Sequence, residues 1–231
     1  MTPTERQPVL GTTPQESHHQ DHRPLVAFDF DGTLTRRDTM RHFLLTVRDH
    51  RTVATAFLRH LPSVALAVRG GQARDLAKGL VYEDILGGMT RQEADTACQR
   101  TALVIEKSLI RDDTVARLRW HQSERHRVIV VSASFEGYVR PVAASLGIDE
   151  VIATKWEINP ADDTLTGRFD GPNVRGNAKV ERIAEHIGRP CDLHYAYGNT
   201  DGDAAMLARA RNPVWIRRRP MPELRVAPES A

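Results

Sequence analysis

Short apolar runs that alternate with segments of helical spacing constrain this chain more than any other feature of its sequence. Residues 25–30 (LVAFDF) are apolar up to an Asp and a Gly, which reads as a buried strand running out into a loop. Residues 127–131 (RVIVV) read as a second buried strand, 151–153 as a short third, 193–197 (LHYAY) as another and 214–216 as the last. Between the first two, residues 38–125 carry apolar side chains at helical spacing with almost no period-two alternation. Helices are expected over 38–50, 52–68, 73–86, 90–108 and 111–125, with a break at Pro62. Thr90 followed by Glu93 has the form of a capping box. Further helices are expected over 136–146, 178–186 and 203–210, and the DDTLTG turn within 155–170 suggests a β-hairpin. Such alternation predicts an α/β fold with a parallel sheet. The helical stretch at 38–125 interrupts that sheet between its first two strands and is placed to act as a cap.

Bulk properties exclude several classes. The chain has 231 residues, enough for one catalytic domain with an inserted module, and a chain of this size buries about 70% of the surface its unfolded form exposes. A formal net charge of +2 gives no reason to expect a nucleic-acid partner. The most apolar stretch, 53–68, carries Arg59, His60 and Pro62 and is short for a membrane span. Residues 1–23 are polar, include His18, His19 and His22, and lack the apolar stretch of a signal peptide; they read as a disordered tail. Cys98 and Cys191 lie in unrelated segments without CxxC spacing, which predicts free thiols and a cytoplasmic location. The basic run Arg217, Arg218, Arg219 reads as a solvated edge or tail, with contact to anionic lipid or nucleic acid as the sharper alternative.

In a parallel α/β sheet, ligands bind outside the carboxyl ends of the strands. Four polar segments fall there or in nearby loops: Asp29-Phe30-Asp31, Ser132-Ala133-Ser134, the segment around Lys179, and residues 198–203 (GNTDGD). Asp29 and Asp31 end a strand two residues apart, and two such carboxylates repel unless a cation sits between them or one holds a proton. Mg²⁺ would answer that repulsion and also screen an incoming phosphate dianion. It takes oxygen ligands, and the segment offers oxygens without the His or Cys cluster that zinc would want.

The string Asp29-Phe30-Asp31-Gly32-Thr33-Leu34-Thr35, then Ser132 after RVIVV, then Lys179, then GNTDGD after LHYAY, resembles in order the four motifs of the haloacid dehalogenase (HAD) superfamily of phosphatases. The insertion after the first motif, with DGTLTRRDT, VSASFEGYVRP and YGNTDGDAAML, looks most like subfamily IB, the phosphoserine phosphatase-like branch. The resemblance implies a Rossmann-like parallel-sheet core with an inserted helical C1-type cap. Residues 24–37 and 126–217 would form the core, 38–125 the cap, and 1–23 and 218–231 the tails.

It also implies roles. Asp29 would be the nucleophile that forms an aspartyl-phosphate, and Asp31 the general acid and then base. A proton donor at Asp31 suits phosphate esters better than carbon–halogen bonds, since a halide needs no proton. Ser132 and the amide of Ala133 would hold a phosphoryl oxygen, and Lys179 would stabilise charge on the nucleophile and the phosphoryl group. Mg²⁺ would be held by Asp29, the backbone carbonyl of Asp31, Asn199 and Asp203. Asn199 stands where the family carries an acid, so metal affinity should fall or Asp203 or Asp201 should compensate. Asp38 stands where phosphoserine phosphatases carry a substrate-recognising Glu, although it also suits a helix N-cap. The expected activity is Mg²⁺-dependent hydrolysis of a small-molecule phosphate ester. A phosphatidylglycerophosphatase-type lipid phosphatase and a catalytically weak phosphoryl-binding module are the alternatives, and the oligomeric state is left open.

Overall fold

The computed structural model of the chain describes residues 23–66, 71–216 and 221. The expectations for the two tails, including His18, His19, His22 and Arg217 to Arg219, lie outside those residues, apart from residues 23 and 221.

Six strands form the sheet: β1 (Leu25–Phe28), β2 (Arg127–Phe135), β3 (Glu150–Asn159), β4 (Thr164–Asp170), β5 (Leu193–Gly198) and β6 (Ala210–Trp215). Their order is β4-β3-β2-β1-β5-β6, parallel throughout except for β4, which returns antiparallel to β3. β1 is central, with Ala27 paired to Ile129 on one side and Ala196 on the other. A strand with neighbours on both edges and helices on both faces has no solvent side, which is why LVAF is apolar without alternation. Its side chains still divide by parity: Val26 and Phe28 enter one core with Val130 and Tyr197, and Leu25 and Ala27 enter the other with Ile129, Val131 and Ala196.

The first core is covered by helices that follow β1: α1 (Met40–Val47), α2 (His50–Arg59), α4 (Gly71–Leu86), α5 (Arg91–Ser108) and α6 (Asp112–Ser123), together with α7 (Glu136–Ser145), while the short α3 (Leu61–Leu66) joins α2 to α4. Helices α8 (Asn177–Ile187) and α9 (Ala204–Leu207) cover the second. The chain leaves the sheet at Thr35 and returns at Ile110, and the two crossings are stitched together. Arg36 N–H donates to the Leu109 carbonyl at 2.7 Å, and Arg111 N–H donates to the Leu34 carbonyl at 3.0 Å. The helical insertion is thus clamped at its neck. Helix α6, after the neck, lies against the sheet, with His121 edge-on to Phe28.

Local chemistry explains where elements start and stop. The Thr90–Glu93 capping box is formed. Asp49 caps α2 by accepting from the backbone N–H groups of Arg51 and Thr52, which divides the helix expected over 38–50 from the next. The following helix breaks at His60, and Pro62 falls in the first turn of α3, where its missing N–H costs nothing. β2 continues to Phe135, four residues past RVIVV, because Phe135 is buried in an aromatic cluster with Tyr82, Trp156 and Phe169. The hairpin is present, but its turn lies at residues 160–163, where Asp163 takes the left-handed φ of 54°, and Thr164 already begins β4. The helix expected over 203–210 is short because β6 starts at Ala210, paired with Leu193. Cys98 and Cys191 are free and buried. No helix among the described residues is long and apolar enough to cross a membrane.

Beneath the central strands, Phe28 stacks on Tyr197 and His121 is fully buried beside them. His121 Nε2 is 2.8 Å from the Tyr197 hydroxyl, and its Nδ1 is 2.8 Å from Nδ1 of His126. Burial pushes the His121 imidazole down to about 3. Its folded value lies below the unfolded one, so the unfolded chain binds the extra proton and stability is lost as the pH falls below about 6.5. Urea unfolding between pH 7 and pH 4 should show this as a slope of up to about 1.4 kcal/mol per pH unit that His121→Gln removes.

Candidate active site

Asp29 follows the last residue of β1 at the carboxyl edge of the sheet, and its backbone N–H donates to the Tyr197 carbonyl of β5 at 2.9 Å. The chain then makes a wide turn over residues 30–34, anchored by the buried side chains of Phe30 and Leu34. Gly32 takes φ 74° in that turn. A Cβ there would also lie 2.0 Å from Asn199 Nδ2, so glycine is demanded twice, by the backbone and by the side chain packed on it.

Lys179, on α8, is 1% exposed, and its ammonium group spends all three protons inside the protein. It donates to Asp29 Oδ1, to the Val131 carbonyl and to Asp203 Oδ1, each at 2.7 Å. Burial alone would depress the Lys179 ammonium, but the two carboxylates overcome it and hold the pKa above its ordinary value. Burial pushes the Asp29 carboxyl up to about 6 against the pull of Lys179, which leaves it ionised at neutral pH. Asp203 is buried too, yet the Lys179 charge and the hydrogen bonds it accepts keep it below the usual carboxylate range. Its second oxygen, Oδ2, accepts from the backbone N–H groups of Asn199 and Thr200 and from the Thr200 hydroxyl. Asp203 is therefore committed on both oxygens, as the anchor of Lys179 and of its own loop.

Asp31 has a different environment. Oδ1 accepts from the Thr39 backbone N–H at 2.7 Å and the Thr39 hydroxyl at 2.6 Å, and Oδ2 accepts from the Ser134 hydroxyl. The Tyr138 hydroxyl lies 3.3 Å from Thr39 Oγ1. Burial and then the nearby charge of Asp38 raise the Asp31 carboxyl, and the hydrogen bonds from Ser134 and Thr39 offset only part of this. All of its partners are neutral, whereas Asp29 faces an ammonium.

Ser132 is fully buried, and its Oγ accepts from the Ser134 N–H, which leaves its own proton to donate. The pairing of β2 with β3 skips from Ser132 to Phe135, so Ala133 and Ser134 stand in a bulge at the strand's end. Asp38 accepts from the Met40 N–H at 2.8 Å, a helix-start bond one residue before the residue at the N-cap, Thr39. It is not bonded to the cluster around Asp29.

Asn199 Oδ1 is buried and has no hydrogen-bond partner. A buried carbonyl oxygen without a donor is costly, and a cation is a natural partner for it. Among the described residues no group of three His, Cys, Asp or Glu side chains is arranged to hold a metal. A cation here would therefore rely on the Asp29 carboxylate and on neutral oxygens, Asn199 Oδ1 among them. That donor set fits Mg²⁺, which takes few carboxylates and completes its shell with water and phosphate.

The structure thus joins Asp29 and Asp203 through Lys179, sets Asp31 two residues away on its own hydrogen bonds, and packs Asn199 on Gly32, the residue after Asp31. Thr33, Thr39, Ser134 and Tyr138 join the site without having been singled out from the sequence for any role. Thr33 donates its hydroxyl to Asp29 Oδ2 at 2.9 Å. Period two along β2 puts residues 132 and 134 on one face, so Ser134 had a readable signal. Thr39 had none, since only the return of the chain into α1 brings it to Asp31.

A family model described as haloacid dehalogenase-like hydrolase matches residues 26–208. Protein CicA of Caulobacter vibrioides is 35% identical over 190 residues, covering 82% of this chain and 84% of that protein. A phosphoserine phosphatase of Halobacterium salinarum is 28% identical over 203 residues, covering 85% and 87%. Among solved structures, a phospho-aspartyl intermediate analogue of phosphoserine phosphatase superposes with a TM-score of 0.57 at 21% identity, over 81% of this chain and 83% of that one. At that identity the likeness is one of fold.

Removing the buried cation should be severe. Lys179→Met leaves the Asp29 and Asp203 carboxylates buried beside each other without their counter-charge, a loss of about 3–5 kcal/mol at pH 7. In urea unfolding the deficit should shrink towards pH 5, where the carboxyls take up protons.

Proposed function

The chain belongs to the haloacid dehalogenase-like hydrolase family, and we propose that it is a phosphatase that transfers a phosphoryl group from an ester of a small metabolite to Asp29 and then to water. The observation that carries this reading is the unequal partnering of two neighbouring carboxyls. Asp29 is paired with an ammonium and so favours the ionised, nucleophilic form. Asp31 is held by neutral donors alone and lacks the counter-charge that holds Asp29 ionised, which favours a group that can carry a proton. Environments that push two carboxyls towards different states assign one as nucleophile and the other as acid. The phosphoserine phosphatase among the relatives supports the same class of reaction.

In the first step an Asp29 oxygen bonds to phosphorus as the bond from phosphorus to the leaving oxygen breaks, and Asp31 gives its proton to that oxygen. In the second, Asp31 takes a proton from water as the water oxygen attacks phosphorus and the Asp29–phosphorus linkage opens. Lys179 holds Asp29 in place and offsets charge gathering on it. Ser132, with a proton to donate, and the backbone of Ala133 in the β2 bulge are the proposed contacts to the phosphoryl oxygens. Thr39 and Ser134 orient Asp31. Mg²⁺, held by Asp29, the backbone carbonyl of Asp31 and Asn199, would supply the positive charge that lets a phosphate dianion approach a carboxylate. Asp203 acts by fixing Lys179 and the Asn199 loop.

Wild-type protein should release phosphate from p-nitrophenyl phosphate when Mg²⁺ is added and stop when EDTA removes it. Asp29→Asn should lose at least about a thousandfold in kcat, consistent with loss of a covalent route; turnover equal to wild type would overturn Asp29 as nucleophile. Asn199→Asp adds a charge where an orphan amide oxygen now stands, so calorimetric titration should show Mg²⁺ bound several-fold more tightly. An unchanged affinity would remove Asn199 from the ligand set.

A further inference from the structure

The most apolar stretch of the sequence lies largely outside the core. Arg59 and His60 are the only ionisable residues over 53–68, and such a run is expected to be buried. Of its described side chains, only Val53 and Ala56 are buried. Phe57 is 41% exposed, Leu58 67% and Leu61 55%, and on α4 Leu76 is 65% exposed. These residues belong to one helical unit. Helix α3 packs on α4, and the end of α2 is tied to α4 through Asp84, which accepts from Arg59 at 2.7 Å and lies 3.1 Å from His60 Nε2. A single exposed leucine is ordinary on a protein surface, whereas several large apolar groups on one unit mark a contact face.

Charge says what the face meets. Residues 50–74 contain no Asp or Glu, yet they carry Arg51, Arg59, Arg69 and Arg74 together with His50 and His60. The chain as a whole is nearly balanced, with 32 Lys and Arg against 30 Asp and Glu, so this stretch is a local departure. The acids near it are already engaged where their side chains are described: Asp49 caps α2, Asp84 holds Arg59 and His60, and Glu83 accepts from Arg168 at 3.1 Å. A second copy of the chain, meeting this face with its own, would set arginine against arginine. An anionic bilayer offers both complements, an apolar layer for Phe57, Leu58, Leu61 and Leu76 and phosphate charge for the arginines, whose long stems let the head groups stay in water. No described helix is long and apolar enough to cross a membrane, so the contact is one that lies on the surface. We propose that α2 and α3, with the turn of α4 that carries Leu76, form a peripheral docking face for an anionic lipid bilayer. This inference does not depend on the phosphatase reading.

Co-sedimentation of the full chain with vesicles tests it. The protein should bind vesicles of mixed phosphatidylglycerol and phosphatidylcholine, and bind at least about tenfold more weakly to phosphatidylcholine alone or when NaCl is raised to about 0.5 M. Leu58, Leu61 and Leu76 are exposed, so changing all three to Ser leaves the core intact, as an unchanged urea midpoint should show. That triple variant should lose at least about tenfold in affinity for the mixed vesicles. Arg51→Gln, also at an exposed position, should lose about fivefold. Three results would overturn the proposal: no binding of the wild type to the anionic vesicles, equal binding by the triple variant, or binding abolished only when Arg217, Arg218 and Arg219 are changed to Gln. Light scattering supplies the remaining arm. A dimer that forms with rising concentration and is lost in the triple variant would give the face to a second copy and sink the membrane, whereas the same mass for both proteins agrees with the proposal.

Discussion

A single buried ammonium group organises the centre of this protein. Lys179 reaches from α8 to the carboxyl edge of the sheet and ties together β1 through Asp29, β2 through the Val131 carbonyl and the loop after β5 through Asp203. Two buried carboxylates could not share this space without it, since each would repel the other and neither has water to solvate it. The pairing is as much a constraint on the fold as on chemistry: the register of three adjacent strands has to bring three acceptors within 2.7 Å of one nitrogen.

Around that point, small residues let groups approach that a side chain would keep apart. Gly32 receives the Asn199 amide, and Gly198 lies so close to Asp203 that a Cβ would sit 2.4 Å from the Asp203 Cβ. The loop that carries Asn199 is therefore pressed onto the turn that carries Asp31, and the neutral amide, with its oxygen unpartnered, is held beside the carboxylate strand. The clamp at the neck of the insertion extends the same logic outward. Because Arg36 and Arg111 are hydrogen-bonded across to Leu109 and Leu34, α1 starts at a fixed place, and Thr39 arrives on Asp31.

Much of this was legible in the sequence for identifiable reasons. The strands β1 and β2 announced themselves because burial on both faces leaves apolar runs, and the Thr90–Glu93 cap because its two bonds are local. Where the reading slipped, a partner remote in sequence decided the outcome. β2 runs on to Phe135 because an aromatic cluster drawn from α4, β3 and β4 receives that ring, and β6 starts four residues early because β5 offers it a ladder. The bonds from Lys179 and from its own loop to both oxygens of Asp203 are likewise not revealed by its place in GNTDGD.

The sequence by itself determined the order of strands and helices, the location of an insertion after the first strand, and the identity of the acidic, basic and hydroxyl groups at the sheet's carboxyl edge. Those properties follow from periodicity and local hydrogen bonding, which act over a few residues. Only the tertiary structure decided which carboxyl meets an ammonium and which meets hydroxyls, and which amide oxygen is left without a donor. These depend on side chains separated by up to 150 positions, such as Asp29 and Lys179, and packing alone sets the distance and dielectric between them.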